Sequence, residues 1–496
     1  MVEKSTDIVD VLIIGAGASG LTLGNVLAKQ KINFIIIDSL TARAPLTKAT
    51  GLHINSLRLL YQLDARLVED EILPNSNELT SLETIVDFGE PTVITIKEGQ
   101  LPFEKNIILS QFELEKILEA RIKDKILYHH ALLEFEESPD AVKALVKDTL
   151  TGEEKWFNAK FLVGADGVIS KTRSLLGIPF EGESDPLESV IFEAVIKDFP
   201  PEKLSRETVF VTNKEPLIVV PLNKRNSKGD LIFKFRAKIS DENFDKENQI
   251  DSICDIVKKR STYEILKETI SGIGFYRVES RLSTSIGTNR VSLIGDAAHS
   301  YFPIGAYALN LCIEDAFMLG WRLKLALQGE KEDWLRHVKQ FQKECLQNAR
   351  QIYDDVMKRR TPAPITKEDR VIKEVLIYEE PTKEGLSRLA LLLETQNECL
   401  KNVSQELQIS FYKGFGWKFL LSTRGVAYFE KKLKEKGQET TIECFVFGIE
   451  SDFDFIAYVR PCLFGKMFYL ETRKDLKTFE GEIDKFIEYF FTCKNI

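Results

Sequence analysis

The residues best suited to hold a cofactor lie in two glycine-containing segments, one near the start of the chain and one far downstream. Each follows an apolar run typical of a buried strand, and together they supply Gly15, Gly17, Gly20, Gly295 and Asp296. In the first turn, the leading glycine permits the bend, the second lets backbone approach a pyrophosphate, and the third lets the next helix pack closely. The N-terminus of that helix offers free N–H groups and a positive dipole to phosphates. The first segment therefore predicts a pyrophosphate site, and the second predicts a carboxylate on the sugar of the same cofactor.

A second apolar run, Phe34–Ile37, ends in Asp38, which follows Gly20 by 18 residues. An acid at this distance accepts hydrogen bonds from the ribose hydroxyls of an unphosphorylated dinucleotide such as FAD or NAD. A lone glycine pattern also occurs at ordinary strand-to-helix turns, so a purely structural turn is the alternative. The strand before the turn, the helical pattern after it and the position of Asp38 together favour dinucleotide binding.

The middle of the chain carries a third strand-like run, Phe161–Gly164, which leads to Asp166 and then to Arg173. Upstream of it, Gln111 precedes a helix-like segment over 112–121. With the two glycine-containing segments, this set resembles the FAD-dependent aromatic hydroxylases, the single-component flavoprotein monooxygenases typified by para-hydroxybenzoate hydroxylase and phenol hydroxylase. Three separated motifs occur in the order found in that family. The resemblance implies that the dinucleotide is FAD.

The resemblance also implies a role for each matching residue. The glycine turn would hold the pyrophosphate, Asp38 the adenosine ribose and Asp296 the ribityl chain, while Asp166 and Arg173 would serve both flavin and nicotinamide cofactor. For Arg43, a solvated surface side chain is the alternative. The expected cofactor-binding residues are Gly15, Gly17, Ala18, Ser19, Gly20, Asp38, Ser39, Arg43, Gln111, Asp166, Arg173, Gly295, Asp296, Pro303, Ala308, Leu309 and Asn310.

The loop after Pro303 departs from the family pattern, in which a glycine-rich turn precedes an asparagine. Alanine stands at both expected glycine positions, Ala306 and Ala308, while Asn310 is retained. Alanine adopts a positive φ only at a cost of roughly 1 kcal/mol or more. Two outcomes stay open: the loop shifts slightly and still places a helix N-terminus at the flavin, or the flavin is displaced, weakly held or absent. We favour an active or weakly active flavoprotein.

Two side chains are candidates for catalysis, His53 and Tyr307. Some phenol-specific relatives carry an aspartate where this chain has Thr50, and threonine cannot deprotonate a phenol. His53 is the nearest residue with a suitable pKa, although a histidine packed against the flavin or bonded to backbone is the alternative. Tyr307 is expected to stack on the ring or donate to substrate, and the alternative is an aromatic ring packed under the loop.

Composition limits the classes of function and partner. The chain of 496 residues is long enough for two or three domains, and its net charge of −9 argues against a nucleic-acid or anionic-membrane partner. The N-terminus has no secretory character and no apolar run of about 18 residues occurs, so we expect a cytoplasmic protein without a membrane span. Seven scattered cysteines without a C-x-x-C pair, and five unclustered histidines, predict reduced thiols and no metal site.

The alternation of strand and helix patterns predicts an α/β protein with discontinuous domains. The pattern over 313–328 predicts a long amphipathic helix, and 333–360 predicts a charged one. The C-terminal part resembles the accessory domain of the phenol-hydroxylase branch, and without C-x-x-C we expect a structural or dimer-forming role. The expected boundaries are 1–80, 105–185 and 285–330 for a Rossmann-like FAD-binding domain, 81–104 and 186–284 for an inserted β-sheet substrate domain, 331–400 for a helical connection and 401–496 for a thioredoxin-like domain.

These features predict an FAD-dependent monooxygenase that hydroxylates an aromatic, phenol-like or polycyclic substrate with NAD(P)H and O2. Only one glycine fingerprint follows a strand, so no second Rossmann domain is expected, and the resemblance implies that NAD(P)H binds transiently in a cleft. Two alternatives stay open: a catalytically silent flavin-binding or scaffold protein on the same fold, and a flavoprotein reductase. The sequence does not identify the substrate, choose NADH or NADPH, or decide whether the chain forms a homodimer.

Overall fold

The computed structural model divides into two compact units, each described by itself, of which the first comprises 1–61, 66–342 and 353–356. Among the expected cofactor residues, Arg43 lies outside the described part. The described residues are 8–42, 49–96, 105–213, 215–240, 244–303, 305–328, 333–360, 409–414, 416–421, 444–449, 455–460 and 468–472.

The described part of the first unit contains eighteen strands. In chain order they are β1 (Ile8–Ile14), β2 (Phe34–Ile37), β3 (Gly51–Leu52), β4 (Asn77–Glu78), β5 (Ser81–Val86), β6 (Thr92–Thr95), β7 (Ile107–Ile108), β8 (Ile126–Leu127), β9 (His130–Glu137), β10 (Val142–Asp148), β11 (Glu154–Gly164), β12 (Phe180–Ala194), β13 (Arg206–Thr212), β14 (Glu215–Arg225), β15 (Leu231–Ile239), β16 (Ser271–Ser283), β17 (Val291–Leu293) and β18 (His299–Ser300).

The helices connect these strands and cover their faces. They are α1 (Ala18–Lys29), α2 (Ile54–Leu63), α3 (Gln111–Ala120), α4 (Lys171–Leu175), α5 (Gln249–Arg260), α6 (Tyr307–Gln328) and α7 (Asp333–Arg360). The charged helix expected over 333–360 is confirmed. The helix expected from 313 begins six residues earlier, at Tyr307, because alanine at 308 favours helix where the glycine of the family pattern does not.

A parallel sheet brings the expected cofactor motifs to one edge. Its strand order is β8-β2-β1-β11, with β17 beside the end of β11 and the antiparallel pair β10-β9 beside its start. Ile14 pairs with both Ile37 and Gly164, and Gly164 pairs with Leu293. The four strands therefore end at the same level, and the turn that follows each one opens on the same edge. Ligands of open α/β sheets bind at this carboxyl edge.

A second sheet, of order β18-β16-β12-β15-β14-β13-β5-β6, has two chemically different faces. One face packs under α5 through a core that includes Phe192, Phe233, Phe235 and Ile253. We call the opposite side the inner face. It carries Val220 and Leu222, which pack on Ile108 of β7. The alternation of apolar and polar residues along β15 fits a strand with one core face.

Short strands join the second sheet to the parallel-sheet part of the same unit. Strand β7 pairs with β3 and β4, and β18 pairs with β16 at Arg281 and Leu282. The inner face therefore lies on the side of β3, which continues directly into His53. The expected boundary between FAD-binding and substrate domains stays a prediction, although strands of 81–95 and 180–283 share this one sheet.

The described strands of the second unit form an antiparallel sheet in chain order. They are β19 (Ile409–Gly414), β20 (Gly416–Leu421), β21 (Cys444–Ile449), β22 (Phe455–Arg460) and β23 (Phe468–Thr472). Most of 401–496 lies outside the described residues, so the thioredoxin-like domain stays a prediction.

The close approach of α1 to the glycine turn gives a first test. A Cβ atom added at Gly20 would lie 1.9 Å from the Gly15 carbonyl oxygen, which cannot occur without displacing α1. We expect Gly20→Ala to lower the free energy of unfolding by about 1–3 kcal/mol, as overpacking does elsewhere. Urea unfolding of the ligand-free protein measures this change.

The matched control is Gly17→Ala in the same turn. Its added Cβ would meet only Glu115 Oε1, at 3.9 Å, so the ligand-free protein should unfold at the parental urea concentration. Equal midpoints for the Gly20 and Gly17 variants would contradict the packing argument.

Candidate functional site

The first glycine turn is built so that Asp38 closes it from the neighbouring strand. Gly15 has φ of +107°, and a Cβ there would lie 2.4 Å from the Ala165 carbonyl oxygen, so glycine is required. The Ala16 N–H donates to Asp38 Oδ2 at 2.7 Å, and the Leu40 N–H donates to Oδ1 at 2.8 Å. The carboxylate is therefore fixed at the end of β2, half-buried, with lone pairs left for ribose hydroxyls.

Gly17 precedes the first residue of α1, and the space beside its Cα atom is open. The only atom within 4 Å of a Cβ added there is Glu115 Oε1, at 3.9 Å. Gln111 Nε2 donates to the same oxygen at 2.7 Å, and Glu115 is buried. Gln111 thus lies near Gly17 through Glu115, and its expected contact with the flavin stays a prediction. Glu115 was missed by sequence reasoning, because a glutamate within a helix pattern gives no signal of its own.

The second glycine-containing segment touches the first one directly. Gly295 has φ of +58°, and a Cβ at this position would lie 2.0 Å from Ser19 Oγ and 2.9 Å from Cys312 Sγ. The two segments predicted to share one cofactor are therefore in van der Waals contact, and Asp296 follows at once. Burial, and next the Asp296 charge, raise the pKa of the Cys312 thiol well above its ordinary value, so it stays protonated.

The buried pair of His299 and Asp315 holds the Gly295 turn through a hydrogen bond to its backbone. Asp315 Oδ2 accepts from the Gly295 N–H and lies 2.8 Å from His299 Nε2, with 2.8 Å also to the amide nitrogen. Burial opposes a charged imidazole, but the Asp315 carboxylate outweighs it and raises the pKa of His299 above its ordinary value. The raised pKa favours an imidazolium paired with the Asp315 carboxylate, an ion pair without net charge beside the Gly295 turn.

In the motif after β11, the Asp166 carboxylate accepts hydrogen bonds from residues of the turn that follows it. Asp166 accepts from the Ser170 hydroxyl at 2.5 Å and from the Thr172 N–H at 2.8 Å, which caps α4. The buried Arg173 guanidinium donates to the Ala297 carbonyl oxygen at 2.9 Å. Arg173 thus ties this motif to the residue after Asp296. Its expected contact with flavin or nicotinamide stays a prediction.

The altered loop before α6 shows strain at one alanine and none at the other. Ala306 has φ of +52°, as expected for a position where the family carries glycine. Ala308 lies inside α6, where alanine is favoured, so the expected cost at 308 is wrong. The first turn of α6 also contains Leu309 and Asn310, and Pro303 before it is exposed.

Asn310 locks this loop onto the segment around β3. Its Oδ1 accepts from the His53 N–H at 2.8 Å and from Ser56 Oγ at 2.6 Å. Its Nδ2 donates to the carbonyl oxygens of Gly51 at 3.1 Å and Ala306 at 2.8 Å. Both polar atoms of the Asn310 side chain therefore make hydrogen bonds within the protein. A flavin ring at this loop would meet its backbone rather than this side chain.

The two catalytic candidates, His53 and Tyr307, are neighbours. Their ring centroids lie 6.2 Å apart in an edge-to-face arrangement. Burial lowers the pKa of His53 to about 4, with a backbone contact to Gly305 acting in the opposite direction. The imidazole is then neutral near pH 7 and is a weak base. Its expected role as catalytic base stays a prediction, and the structure favours a neutral hydrogen-bonding residue.

The described residues fit an FAD molecule. The Gly15 N–H donates to the Ile37 carbonyl oxygen at 2.7 Å and the Ala16 N–H to Asp38, which leaves Gly17 and the start of α1 to face a pyrophosphate. The Gly295-Asp296 turn lies against Ser19. Among the expected cofactor contacts, Arg43 lies outside the described residues, and Ser39 is exposed at the end of β2. The remaining ones are gathered at the carboxyl edge of the parallel sheet and at the start of α6.

Comparison with known proteins agrees with this geometry. The model of the family described as "FAD binding domain" matches residues 8–356. An uncharacterized aromatic compound monooxygenase, YhjG, of Bacillus subtilis is 26% identical over 332 residues, which are 66% of this chain and 63% of that protein. Pentachlorophenol 4-monooxygenase of Sphingobium chlorophenolicum is 27% identical over 340 residues, 64% of this chain and 59% of that one. The chain thus spans less than two-thirds of these curated relatives.

Solved structures share the fold. The flavin-dependent monooxygenase PieE, in complex with FAD and substrate, superposes with a TM-score of 0.61 at 20% identity, over 71% of this chain and 63% of that one. The p-nitrophenol 4-monooxygenase PnpA of Pseudomonas putida gives a TM-score of 0.60 at 17% identity, over 73% of this chain and 91% of that one. With the family match over 8–356, they confirm the resemblance drawn from the motifs: the chain belongs to the FAD-binding-domain family of the FAD-dependent aromatic hydroxylases.

Proposed function

We propose that the chain is an FAD-dependent monooxygenase that hydroxylates an aromatic substrate with NAD(P)H and O2. The observation that carries the proposal is the contact between the two glycine-containing segments, in which Gly295 lies against Ser19. This contact brings the pyrophosphate turn and the Gly295-Asp296 turn to one site, and the inner face of the second sheet belongs to the same unit. Relatives named as monooxygenases of aromatic compounds support the same reaction class.

The cofactor carries the redox chemistry: bound FAD would accept a hydride from NAD(P)H and, once reduced, react with O2 to deliver one oxygen atom. The chain's own residues bind and orient. Gly17 and the first residues of α1 would present backbone N–H groups to the pyrophosphate, with Gly15 making the turn that places them. Asp38 would accept from the ribose, and Asp296 would accept from the ribityl chain.

The N-terminus of α6 supplies electrostatic stabilisation without a charged side chain. Its first-turn N–H groups and positive dipole favour negative charge that develops near residues 305–308. Because burial lowers the pKa of His53 to about 4, no positive imidazole competes there near neutral pH. The neutral His53 and the Tyr307 hydroxyl would orient a phenolic oxygen rather than remove its proton.

The inner face of the second sheet would exclude water from the reaction. Val220 and Leu222 of this face are buried against Ile108 of β7, and the half-buried Ile218 and Ile232 pack beside them and would present apolar surface to a ring. An aromatic ring placed on such a surface buries its faces against aliphatic side chains. Exclusion of water would limit the side reaction that releases hydrogen peroxide in place of a hydroxylated product.

Two alternatives use the same fold without hydroxylation. A silent flavin-binding or scaffold protein is favoured by the strain at Ala306, which lies where the family carries glycine. A flavoprotein reductase would transfer hydride and release hydrogen peroxide instead of a hydroxylated product. Turnover measurements separate the three.

We further propose that residues 401–496 form an accessory domain of structural or dimer-forming role in a cytoplasmic enzyme. The described strands there build a sheet but carry no C-x-x-C pair, so dithiol exchange has no support. Among the described residues, no helix combines the length and apolarity needed to cross a membrane.

Cofactor retention tests the binding residues. Gly17→Val would place a branched side chain where backbone meets the pyrophosphate, and Asp296→Ala would remove the ribityl acceptor. We expect each purified variant to lose most of its bound FAD, at least about tenfold in affinity, while circular dichroism stays parental. Full flavin occupancy in both folded variants would refute the assignment.

Turnover tests the reaction itself. We expect a suitable phenolic compound to accelerate NAD(P)H oxidation by the FAD-loaded protein, and the product to carry one 18O atom when 18O2 is supplied. Mass spectrometry of the product measures this. Oxidation that yields only hydrogen peroxide with every compound would favour the reductase, and a flavin that NAD(P)H never reduces would favour the silent protein.

The strained alanine gives a matched pair of variants. Ala306→Gly removes the positive-φ penalty and should raise stability or tighten FAD binding by about 1 kcal/mol. Ala308→Gly, two residues on and inside α6, should instead lower stability by about 0.5–1 kcal/mol. Thermal unfolding and FAD titration of both variants measure these changes. Equal effects at the two positions would show that the strain at 306 has no consequence.

A further inference from the structure

Helix α6 faces the Gly295-Asp296 turn with two side chains near its start. Cys312 and Asp315 are three positions apart on this helix, so they lie on the same side of it, and both are buried. Asp315 accepts the Gly295 N–H at 2.8 Å, and the Cys312 sulfur lies 2.9 Å from the position that a Cβ of Gly295 would occupy. The helix that begins at the expected flavin loop therefore also supports the expected ribityl site.

The two side chains contact different parts of the turn. Asp315, which is paired with His299, holds a backbone N–H group. The Cys312 sulfur instead lies 4.0 Å from Asp296 Oδ1, within reach of an S–H donor. A hydrogen bond to the backbone fixes the path of the chain but leaves side-chain torsion angles open to several rotamers. The thiol is therefore placed to influence the direction in which the Asp296 carboxylate points.

The Cys312 thiol is kept in its hydrogen-donating form. Burial, and next the negative charge of Asp296, raise the pKa of this thiol well above its ordinary value. A protonated thiol is a weak donor, and an ionised carboxylate is the stronger kind of acceptor for it. A thiolate at the same place would repel the carboxylate. The direction of the pKa shift thus agrees with a hydrogen bond that Cys312 donates and Asp296 accepts.

This contact leaves Asp296 able to bind a ligand. A carboxylate offers about four lone-pair sites, so one S–H group does not exhaust its capacity. Asp296 is half-buried, whereas Cys312 is buried, so the thiol approaches the carboxylate from the protein interior. Hydrogen bonds within a site are often long before its ligand is bound, and they shorten in the complex.

We propose that Cys312 is a positioning residue for the cofactor: its S–H group donates to Asp296 Oδ1 and holds this carboxylate toward the ribityl hydroxyls of FAD. The inference rests on the proposed function, because it takes Asp296 as the ribityl acceptor. It deepens that function by naming a residue outside the glycine motifs that sets cofactor affinity through another residue.

A purely packing role for Cys312 makes a different prediction. A buried cysteine otherwise behaves as a small apolar residue. In that case alanine would be tolerated better than serine, because serine would bury a hydroxyl group in an apolar site. A donor role reverses this order, because a serine hydroxyl can replace the thiol proton and alanine cannot. The order of the two variants therefore separates the two roles.

Titration of the ligand-free, full-length chain with FAD measures that order. We expect Cys312→Ala to weaken FAD binding about three- to tenfold, the range that one hydrogen bond contributes. Cys312→Ser should stay within about twofold of the parent, because it keeps a donor. The matched control is Cys254→Ala on α5, which covers the face of the second sheet opposite the inner face. This control should leave FAD affinity unchanged.

Infrared spectroscopy tests the hydrogen bond itself in the absence of FAD. The S–H stretching band moves to lower wavenumber when a thiol donates a hydrogen bond. The difference spectrum between the parent and either Cys312 variant isolates the band of this thiol among those of the seven cysteines. Only one of the two variants has to fold for this assignment. We expect the band to move to higher wavenumber in Asp296→Ala, which removes the acceptor.

Three results would overturn the inference: equal FAD affinity of Cys312→Ala and the parent, weaker binding by Cys312→Ser than by Cys312→Ala, or an S–H band that Asp296→Ala leaves in place. Each of them is compatible with an active hydroxylase, so the proposed function would stand. The expected affinities and band shift in a protein that forms no 18O-labelled product would contradict the proposed hydroxylation and leave the role of Cys312 intact. A parent that binds no FAD would contradict both.

Discussion

The site depends on close approach of backbone at the carboxyl edge of the parallel sheet. Gly20 brings α1 onto the Gly15 carbonyl, and Gly295 brings the downstream turn against Ser19. Neither contact has room for a Cβ atom. Because strands β1, β2, β11 and β17 end at one level, these contacts gather turns from distant parts of the chain. Every other feature of the cofactor site follows from this geometry.

The acids at that edge are held by the protein before any ligand arrives. Asp38 and Asp166 each accept backbone N–H groups, and Asp315 accepts the Gly295 N–H. A carboxylate fixed in this way loses little further entropy on binding, so more of its interaction energy contributes to affinity. The arrangement is preorganised, which suits a cofactor that must stay in one position through a redox cycle.

The sequence predicted the parts of the site that depend on local chemistry. Strand ends, glycine turns and Asp38 have fixed spacings, so a single pattern identifies them. Glu115 reaches the glycine turn from a helix nearly 100 positions further along the chain, and no local spacing reports such a contact. His299 acts through Asp315 of α6, a pairing that no short motif reports. The start of α6 was placed too late for a different reason: the family's glycines obscured the helix preference of alanine at 308.

The alanine at 306 shows how a departure from the family pattern can leave a loop intact. Its positive φ costs roughly 1 kcal/mol. Against this, Asn310 makes hydrogen bonds to His53, Ser56, Gly51 and Ala306 itself, mostly out of contact with water. A buried hydrogen bond contributes about 0.5–1.5 kcal/mol, and leaving its partners unsatisfied would cost more. The anchoring therefore outweighs the strain, so the loop keeps its conformation and the backbone at residues 305–308 stays available to a flavin ring.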